Sequence, residues 1–348
     1  MQIKKSDAHT LKEQNTKLVL STLLAMKAAT RRQLAQRTGL SQPTVNTIVQ
    51  EMEDNGFVYP GAFAASASGR RPQNYAFRED RLRAVTIRML AQSLEYTVAT
   101  ADGAVVLRNS WKVMGEETHI IALQSLLQTL LKQDKEIQLV AIGVPGVAGP
   151  GGVLHAIPQI PTLEDVALSH ILNKQFGLPI YVENDMNLVA LGSIESEFGQ
   201  TTSQDIVFIH LGEGLGAGIV MGGRIIRGFS GFSGETAYIT MQNGNVGEGE
   251  TLETLFPKAK NPAQQAQLIF GMIANIICLI NPPIISFGSI YATEELLRHL
   301  RRKCEKHLPL WALPTFSLTE NEDAAYDRGL KSLVRNVLID QIIHEMFV

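Results

Sequence analysis

Hydrophobic residues recur at helical spacing from Thr10 to Ala28, which predicts a first helix. A second helix over 31–38 follows, with Thr30 as its N-cap and Gly39 as the residue that ends it. Ser41 then caps a third helix, whose buried stripe consists of four apolar residues: Val45, Ile48, Val49 and Met52. Two helices joined by a tight glycine turn are typical of a helix-turn-helix unit, whose second helix enters the major groove of DNA.

Two short apolar stretches, 57–59 and 75–77, flank a segment rich in glycine, alanine, serine and proline. This arrangement predicts a β-hairpin with a long tip, which is the wing of a winged helix-turn-helix domain. Arg70 and Arg71 in that tip suit a narrow minor groove, where the negative potential is enhanced. Five polar residues of the third helix are candidates for contacts with bases or phosphates: Ser41, Gln42, Thr44, Asn46 and Thr47. The alternative is a small helical adaptor domain with a solvated polar face.

Apolar strands alternate with amphipathic helices from residue 84 onward, which predicts an α/β body. A long extended stretch is expected over 85–98, paired across Asp102-Gly103 with 104–107. Further strands are predicted at 139–144, 179–182, 206–210 and 218–221, and helices at 118–133, 163–176 and 186–197. At about 260 residues, this body is expected to form two lobes with a cleft between them.

Composition and charge narrow the function classes. Apolar residues at 45% and charged residues at 19% are typical of soluble globular proteins. Cys278 and Cys304 provide neither a disulfide framework nor a metal site, and we find no signal peptide or apolar run of membrane-spanning length, so we expect a cytoplasmic protein without a membrane partner. Residues 1–83 carry a net charge of +6, whereas the remainder carries −9, which is consistent with a nucleic-acid-binding head on an acidic body.

Acidic residues at strand ends are the first candidates for ligand chemistry, because ligands of α/β folds bind there. Asn184 and Asp185 follow a predicted strand and open a helix, so Asp185 could accept a proton from a substrate hydroxyl. Equally, either residue could simply cap the helix that begins at Met186. Glu235 is a second acidic candidate, although its glycine-rich surroundings alone favour a solvated turn.

The segment from Leu211 to Gly218 contains four glycines, at positions 212, 214, 216 and 218. Glycine permits positive φ and close backbone approach, the usual preparation for binding a phosphate. Glu213 stands among them, and a carboxylate repels a phosphate. The segment therefore predicts a nucleotide-type loop that no longer suits a nucleotide.

Taken together, these segments resemble the ROK family of repressors, open reading frames and kinases, from about residue 10 to the C-terminus. The resemblance is carried by 41–56, 69–72, 143–146, 182–187, 211–218, 222–224, 234–235, 280–282 and 286–288. It implies a winged helix-turn-helix domain over 1–80 and, over 81–348, an effector and dimerisation domain with the two-lobed actin/hexokinase-like (ribonuclease H-like) fold of sugar kinases. In the kinases of this family, the counterpart of Asp185 is the general base that activates the sugar hydroxyl.

The chain departs from the family's kinases at both phosphate loops. Their Asp-x-Gly-Gly-Thr motif should fall near 88–92, which reads Arg-Met-Leu-Ala-Gln, and their Gly-Thr-Gly reads Gly212-Glu213-Gly214. Phosphoryl transfer depends on positioning phosphates and neutralising their charge. We therefore expect no ATP-dependent kinase activity and no cofactor, with Asp185 as a vestige of the catalytic base.

The resemblance also bears on the metal and effector sites. Many relatives bind a structural zinc through a histidine and a cysteine cluster, but Tyr238 stands at the histidine position and Met241–Thr251 contains no cysteine. We therefore expect no metal site. Gln159 stands where the family has a sugar-pocket asparagine. By resemblance, the altered effector pocket comprises Gly146, Gln159, Asn184, Asp185, Glu235, Tyr238 and Glu253.

The sequence therefore predicts a DNA-binding transcriptional regulator, most simply a repressor of carbohydrate-related genes. Its catalytically inactive, kinase-derived domain would bind a sugar or sugar derivative and bias the DNA-binding heads. A homodimer or a dimer of dimers is expected, because helix-turn-helix proteins bind paired half-sites of a double-stranded operator. Two alternatives stay open: a sugar kinase with atypical phosphate loops, and a regulator controlled by a protein partner.

Overall fold

The N-terminal head combines three helices with a small sheet. A computed structural model of the chain describes residues 3–63, 72–78, 82–101, 103–114, 118–197, 205–212, 214–239 and 251–347. The helices of the head are α1 (Ile3–Met26), α2 (Arg31–Thr38) and α3 (Gln42–Asp54). Its antiparallel sheet has the order β1-β3-β2, formed by β1 (Ala28–Thr30), β2 (Val58–Phe63) and β3 (Gln73–Phe77). This is the winged helix-turn-helix arrangement that the periodicity predicts.

Capping residues fix the turn between α2 and α3. Thr30 and Gln33 form a reciprocal capping box at the start of α2, and Gly39 ends it in the left-handed conformation with φ of 72°. The Ser41 hydroxyl then accepts a hydrogen bond from the backbone N–H of Thr44 at 3.3 Å. Both predicted helices are confirmed, since their boundaries are set by these local bonds. The strand β1 was missed, because three residues are too few to show a period.

The first lobe of the body is a five-stranded sheet of order β10-β7-β4-β5-β6, in which β4, β5 and β6 form an antiparallel meander and β7 and β10 run parallel to β4. Its main elements are β4 (Arg83–Leu90), β5 (Ser93–Thr100), β6 (Val105–Lys112), α4 (His119–Gln133), β7 (Ile137–Val144), α5 (Leu168–Phe176) and β10 (Ile180–Asn184). A two-stranded ribbon of β8 (Val147–Ala148) and β9 (Leu154–His155) follows β7.

The second lobe is built on a five-stranded sheet of order β13-β12-β11-β14-β15. Two long helices between the lobes, α6 (Asp185–Glu197) and α10 (Glu322–Phe347), pack against it. The remaining elements are β11 (Ile206–Leu211), β12 (Leu215–Met221), β13 (Arg224–Ile225), α7 (Leu252–Leu255), α8 (Pro262–Leu279), β14 (Ile284–Gly288), α9 (Glu294–His307) and β15 (Thr315–Leu318).

Two predictions for the body need correction. The extended stretch predicted over 85–98 is two strands, β4 and β5, which a tight turn at Ala91-Gln92 reverses. The helix predicted from Leu163 begins only at Leu168, because a short 3-10 turn over 161–163 precedes it. In both places the apolar pattern continues through a turn, so the pattern alone did not show where the element begins or ends.

Helix α8 also departs from expectation. By length and composition alone it is apolar enough to cross a membrane, whereas the sequence suggested that no such run exists. Six of its residues, Gln265, Ala266, Ile269, Met272, Ile273 and Ile277, are buried. The five apolar residues among these six belong to the core of the second lobe.

Helices α6 and α10 cross between the two sheets at very short range. A Cβ atom at Gly192 would overlap the carbonyl oxygen of Ala325, and one at Gly329 would overlap the carbonyl oxygen of Leu188. The two backbones therefore touch, one glycine from each helix. Around this contact lies a core that takes side chains from both sheets, including Leu139 from the first and Phe208 from the second.

The C-terminal part of α10 leaves the body and enters the head. Ile339 and Ile342 are buried in the same hydrophobic cluster as Val19, Leu20 and Leu23 of α1. An ion pair between Lys17 and Asp340 lies beside it. One helix therefore connects the interior of the body to the core of the DNA-binding head.

We expect Gly192→Ala to lower the free energy of unfolding by about 3 kcal/mol, because the added methyl group would push α10 away from α6. Urea denaturation measures the change. The control is Gly271→Ala in α8, where a Cβ meets no atom within 4 Å and the greater helix propensity of alanine should stabilise the protein by about 0.5 to 1 kcal/mol. Equal effects of the two changes would contradict the close crossing.

Candidate functional site

The cleft of the body lies where the N-termini of α6 and α10 approach the ends of strands from both sheets. Asn184, at the end of β10, caps α6: its Oδ1 accepts a hydrogen bond from the N–H of Asn187 at 3.0 Å. Its Nδ2 donates to the carbonyl of Gly146 at 3.0 Å. Of the two alternatives for this pair of residues, the helix cap therefore belongs to Asn184, and Asp185 is left to face the cleft.

Asp185 is the most strongly perturbed carboxyl group of the cleft. Its Oδ1 accepts a hydrogen bond from the N–H of Met186 at 2.8 Å. Burial raises the pKa of Asp185 to about 6; the Met186 N–H and the charges of His210 and Arg88 oppose this rise, whereas Glu235 adds to it. A carboxyl group with this pKa changes protonation state near neutrality and can accept a hydrogen bond from a ligand hydroxyl once ionised.

Arg88 occupies the region where the sequence comparison places the lost first phosphate loop. The β4–β5 turn is tight, and Arg88 projects from β4 onto the start of α10. Its Nη1 lies 2.7 Å from Oδ1 of Asp323, and its guanidinium carbon lies 4.6 Å from the centre of the Tyr326 ring. A cation–π contact and an ion pair therefore fill this part of the cleft. The sequence showed the loss of the loop but not the new partners of Arg88.

His210 is the second basic side chain of the cleft. It lies near the end of β11, and its Nδ1 is 2.9 Å from Oε2 of Glu322. Both Glu322 and His210 are mostly buried, with side-chain exposures of 22% and 24%. The first turn of α10 thus supplies one carboxylate to His210 and the next one to Arg88.

The glycines of 211–218 allow close packing and do not adopt positive φ. None of the described glycines 212, 214, 216 and 218 is among the residues with positive φ, so of the two properties of glycine considered for this segment it is close backbone approach that the fold uses. Two of them lie within β12, and a Cβ at Gly218 would overlap the carbonyl oxygen of Met186 in α6. Glu213 lies outside the described residues. These glycines therefore allow β12 to lie directly against α6.

Three of the predicted effector residues are linked by charge. Glu235 acts on Asp185, and Glu253 acts on Glu235; burial and then the charge of Glu253 raise the pKa of Glu235. Glu253 also lies close to Gly214, at 3.4 Å from the position of its added Cβ. The site therefore brings together the acidic residues that the resemblance singled out.

The other predicted effector residues lie at the rim. Gln159 is exposed in the turn that precedes Ile160. Tyr238 is 62% exposed and packs against Phe232, with ring centres 5.1 Å apart. Both rings line a groove of roughly 460 Å³ together with Val147, Pro150, His155, Ala156, Glu164, Phe229 and Ser230. Exposed aromatic rings at such a rim can stack on the apolar face of a sugar or contact another protein.

A buried ion pair beside the cleft was not predicted. Glu183 is 1% exposed, and its carboxylate accepts hydrogen bonds from Nε of Arg227 at 2.7 Å and from Nδ2 of Asn187 at 2.8 Å. Through Glu183, these bonds tie the segment after β13 to the end of β10 and the start of α6. In the motif that contains Glu183, the sequence analysis singled out only Asn184 and Asp185. The partner of Glu183 could not be predicted, because Arg227 lies 44 positions away.

One group of three potential metal ligands occurs in the described part of the chain: His155, Glu164 and Asp165. His155 Nδ1 lies 2.9 Å from Oδ1 of Asp165. Glu164 accepts backbone hydrogen bonds from Ala156 and Ile157 at 3.0 and 3.2 Å. These bonds connect residues 155–157 to residues 164–165, at one wall of the groove.

On the head, the polar residues predicted to contact DNA divide into two sets. The hydroxyls of Ser41, Thr44 and Thr47 are engaged in the cap and first turn of α3: Ser41 and Thr44 oxygens lie 2.8 Å apart, and Thr47 donates to Pro43 O at 3.2 Å. The side chains of two further residues, Gln42 and Asn46, are exposed one turn apart. They are best placed to reach base edges.

Basic residues flank this surface. Arg32 and Arg37 are exposed on α2, a feature that sequence reasoning did not single out. Arg31, in contrast, packs on the Tyr75 ring at 4.7 Å and donates to Gln50. Arg70 and Arg71, predicted to enter the minor groove, lie outside the described residues.

Comparisons with known proteins agree with both parts of the molecule. Residues 84–259 match the ROK family, and residues 13–59 match a winged helix-turn-helix DNA-binding domain. A xylose repressor of Caldicellulosiruptor bescii is 29% identical over 243 residues, covering 67% of this chain and 60% of that protein. The DNA-binding transcriptional dual regulator NagC of Escherichia coli is 25% identical over 241 residues, 67% of this chain and 58% of NagC. The matches thus span about three fifths of the relatives' length.

Solved structures establish the fold. The crystal structure of a ROK family transcriptional regulator, a homologue of the E. coli MLC protein, covers 97% of this chain and 99% of its own, with a TM-score of 0.74 and 19% identity. The ROK hexokinase of Thermus thermophilus covers 74% of this chain and 99% of its own, with a TM-score of 0.58 and 19% identity. The body therefore has the two-lobed actin/hexokinase-like fold of sugar kinases, preceded by a winged helix-turn-helix head.

The pKa of Asp185 predicts a pH-dependent stability. Because this pKa is raised from 3.8 to about 6, the stabilisation of the protonated carboxyl is present below pH 4 and is lost as the pH rises from 4 to 6. Asp185→Asn should therefore raise the free energy of unfolding by up to about 3 kcal/mol at pH 7.5. Denaturant titrations of both proteins at pH 4, 5, 6 and 7.5 measure the difference, which should shrink toward acid; a constant difference would contradict it.

Proposed function

The chain belongs to the ROK family, and from this premise we propose that it is a DNA-binding transcriptional repressor whose body binds a sugar instead of phosphorylating it. The observation that carries the proposal is the combination of a winged helix-turn-helix head with a cleft in which Arg88 occupies the region of the first phosphate loop. Names of relatives that include xylose repressor and NagC support a sugar-responsive regulator.

The absence of kinase activity rests on charge and space. The guanidinium of Arg88 is held by Asp323 and the Tyr326 ring, and His210 is held by Glu322. A nucleotide carries several phosphates, and this part of the cleft offers them Arg88 and His210 beside three carboxylates, those of Asp185, Glu322 and Asp323. Since phosphoryl transfer requires neutralised and positioned phosphates, the cleft favours recognition over catalysis.

The sugar-facing residues of the proposed effector site are Asp185, Glu235, Glu253 and Tyr238. Carboxylates accept hydrogen bonds from sugar hydroxyls, and the Tyr238 ring offers a stacking surface. Asn184 and Gly146 shape the site through their mutual hydrogen bond, and Gln159 forms part of its rim. We propose a head over 1–80 and an effector domain over 81–348, with the last turns of α10 completing the core of the head.

DNA binding requires two heads for paired half-sites, so we propose a homodimer or a dimer of dimers in the cytoplasm. The second candidate, control by a protein partner, is favoured by the exposed rings of Phe229, Phe232 and Tyr238, since contiguous exposed aromatic side chains are typical of interaction sites. The two candidates differ in one measurable respect: a sugar alone should stabilise the protein if the body binds a sugar, and should not if a protein partner controls it.

We expect Gln42→Ala combined with Asn46→Ala to weaken binding to an operator selected from random duplex DNA by at least about tenfold, because bidentate base contacts are lost. Binding to non-specific DNA should change little.

The double change Arg70→Ala and Arg71→Ala should instead weaken operator binding and flatten its dependence on salt, as loss of phosphate contacts does. Mobility-shift titrations at two salt concentrations separate the two. The control is Asn275→Ala, which changes an exposed side chain on α8 in the second lobe. An equal loss of operator affinity in this variant would contradict the assignment of the DNA contacts to the head.

A panel of pentoses and hexoses tests the body. A sugar at 100 times its Kd should stabilise the protein by about 2.7 kcal/mol, visible as a shift of the melting midpoint, without any sugar-dependent release of ADP from MgATP. Sugar-dependent turnover that Asp185→Asn abolishes would establish the kinase alternative. A complete lack of stabilisation across the panel would favour control by a protein partner.

A further inference from the structure

We propose that Arg88 and His210 form a subsite for the anionic group of an acidic sugar, and that Glu322 and Asp323 occupy this subsite as built-in counter-ions that the sugar displaces. The inference rests on the proposed function, because it takes a sugar in the cleft as given. It adds the chemical class of that sugar and the way in which its binding reaches the head.

The two basic side chains lie on different sheets but converge on one carboxyl group. Arg88 is on β4 of the first lobe and His210 is on β11 of the second, and both act electrostatically on Asp185. A ligand that bridges the lobes here meets an acceptor for a hydroxyl beside two donors for an anion. A sugar with a phosphate or a carboxylate next to a free hydroxyl has this arrangement of groups.

A buried donor supports a ligand at this point. The Tyr326 hydroxyl lies over Gly143, where an added Cβ would overlap it. It is buried and has no hydrogen-bond partner among the described residues. A buried hydroxyl without a partner is costly. Arg88 stacks on the same ring and is the register partner of Gly143, so this unpartnered hydroxyl lies beside the proposed subsite.

The counter-ions are consecutive residues of one helical turn. Acidic residues in the first turn of a helix are common, since they offset the helix dipole. The dipole does not, however, require that they pair with Arg88 and His210, at 2.7 and 2.9 Å. Asp323 is 76% exposed, so it can leave Arg88 for water without burying a charge. An incoming phosphate, with more charge and more acceptor oxygens than a carboxylate, competes well for Arg88 and for the ring N–H of His210.

Displacement of these carboxylates bears directly on the head. Residues 322 and 339 lie on the same helix, roughly 25 Å apart at 1.5 Å per residue. The contact of Gly192 and Gly329 holds α10 against α6 backbone to backbone, so the helix moves as a unit. Ile339 and Ile342, at its far end, belong to the core of the head. An anionic sugar would therefore replace the ion pairs at the start of α10, the helix whose far end packs against α1.

Titration calorimetry of the full chain tests the subsite with four probes: a neutral hexose, its 6-phosphate, the corresponding uronic acid, and inorganic phosphate. We expect at least one acidic sugar to bind about tenfold more tightly than the neutral hexose, and more tightly than inorganic phosphate. A preference for the 6-phosphate identifies a phosphomonoester, and a preference for the uronic acid identifies a carboxylate. Equal binding of the neutral and acidic sugars would overturn the subsite but leave the proposed sugar response intact.

Variants of Arg88 test its share of the preference for an acidic sugar. Arg88→Gln should reduce the ratio of acidic to neutral sugar affinity to near one, whereas Arg88→Lys should retain part of it. The control is Arg108→Gln: Arg108 pairs with Asp327 one turn further along α10 at 2.8 Å, so its loss removes a similar ion pair outside the subsite. An undiminished ratio in Arg88→Gln, or an equal fall in Arg108→Gln, would overturn the subsite.

Removal of the counter-ions tests the coupling. Asp323→Asn combined with Glu322→Gln should strengthen binding of the acidic sugar several-fold and shift operator affinity in the same direction as the sugar does in the unaltered protein. An unchanged sugar affinity would overturn the displacement. If no probe binds while operator binding persists, the proposed sugar response itself fails, which distinguishes that result from failure of the subsite alone.

Discussion

The contact between α6 and α10 is the constraint on which the rest of the molecule depends. Both helices lie between the sheets of the two lobes, and their backbones touch at Gly192 and Gly329. Close contact leaves no room for one helix to slide independently of the other. The cleft residue Asp185 begins the first helix, and the head is anchored on the end of the second. The position of the cleft and the position of the head are therefore set by the same pair of helices.

Charge in the cleft has been redistributed. A nucleotide-binding cleft offers backbone donors and a metal ion to several phosphates. Here single side chains from two strands face carboxylates from α10, and the pKa of Asp185 lies near neutrality. Asp185 keeps the capacity to hydrogen-bond a hydroxyl, and Arg88 and His210 connect their two strands to the first turn of α10. In the function proposed above, recognition of the sugar and the response of the head use these same groups.

Features encoded by neighbouring residues could be predicted from the sequence. Thr30, Gly39 and Ser41 determine the ends of helices through bonds within a few residues, so the helix-turn-helix was identified correctly. Asp185 could be placed at a strand end for the same reason. The partners of Arg88 could not be predicted, because Asp323 is 235 positions away. The glycines of 211–218 indicated positive φ or a close backbone approach; the close approach is what the fold uses, and its partner, α6, is identified only in the folded chain.

The burial of Ile339 and Ile342 in the head has a consequence for biosynthesis. The first residues of the chain emerge from the ribosome early, but the cluster of Val19, Leu20 and Leu23 that they contribute is completed by residues made some 320 positions later. Such long-range contacts form slowly. The head therefore gains these packing partners only after the body has been synthesised. A chain whose synthesis stops short of α10 would lack them and leave a hydrophobic face of α1 uncovered, so the packing of the head depends on completion of the body.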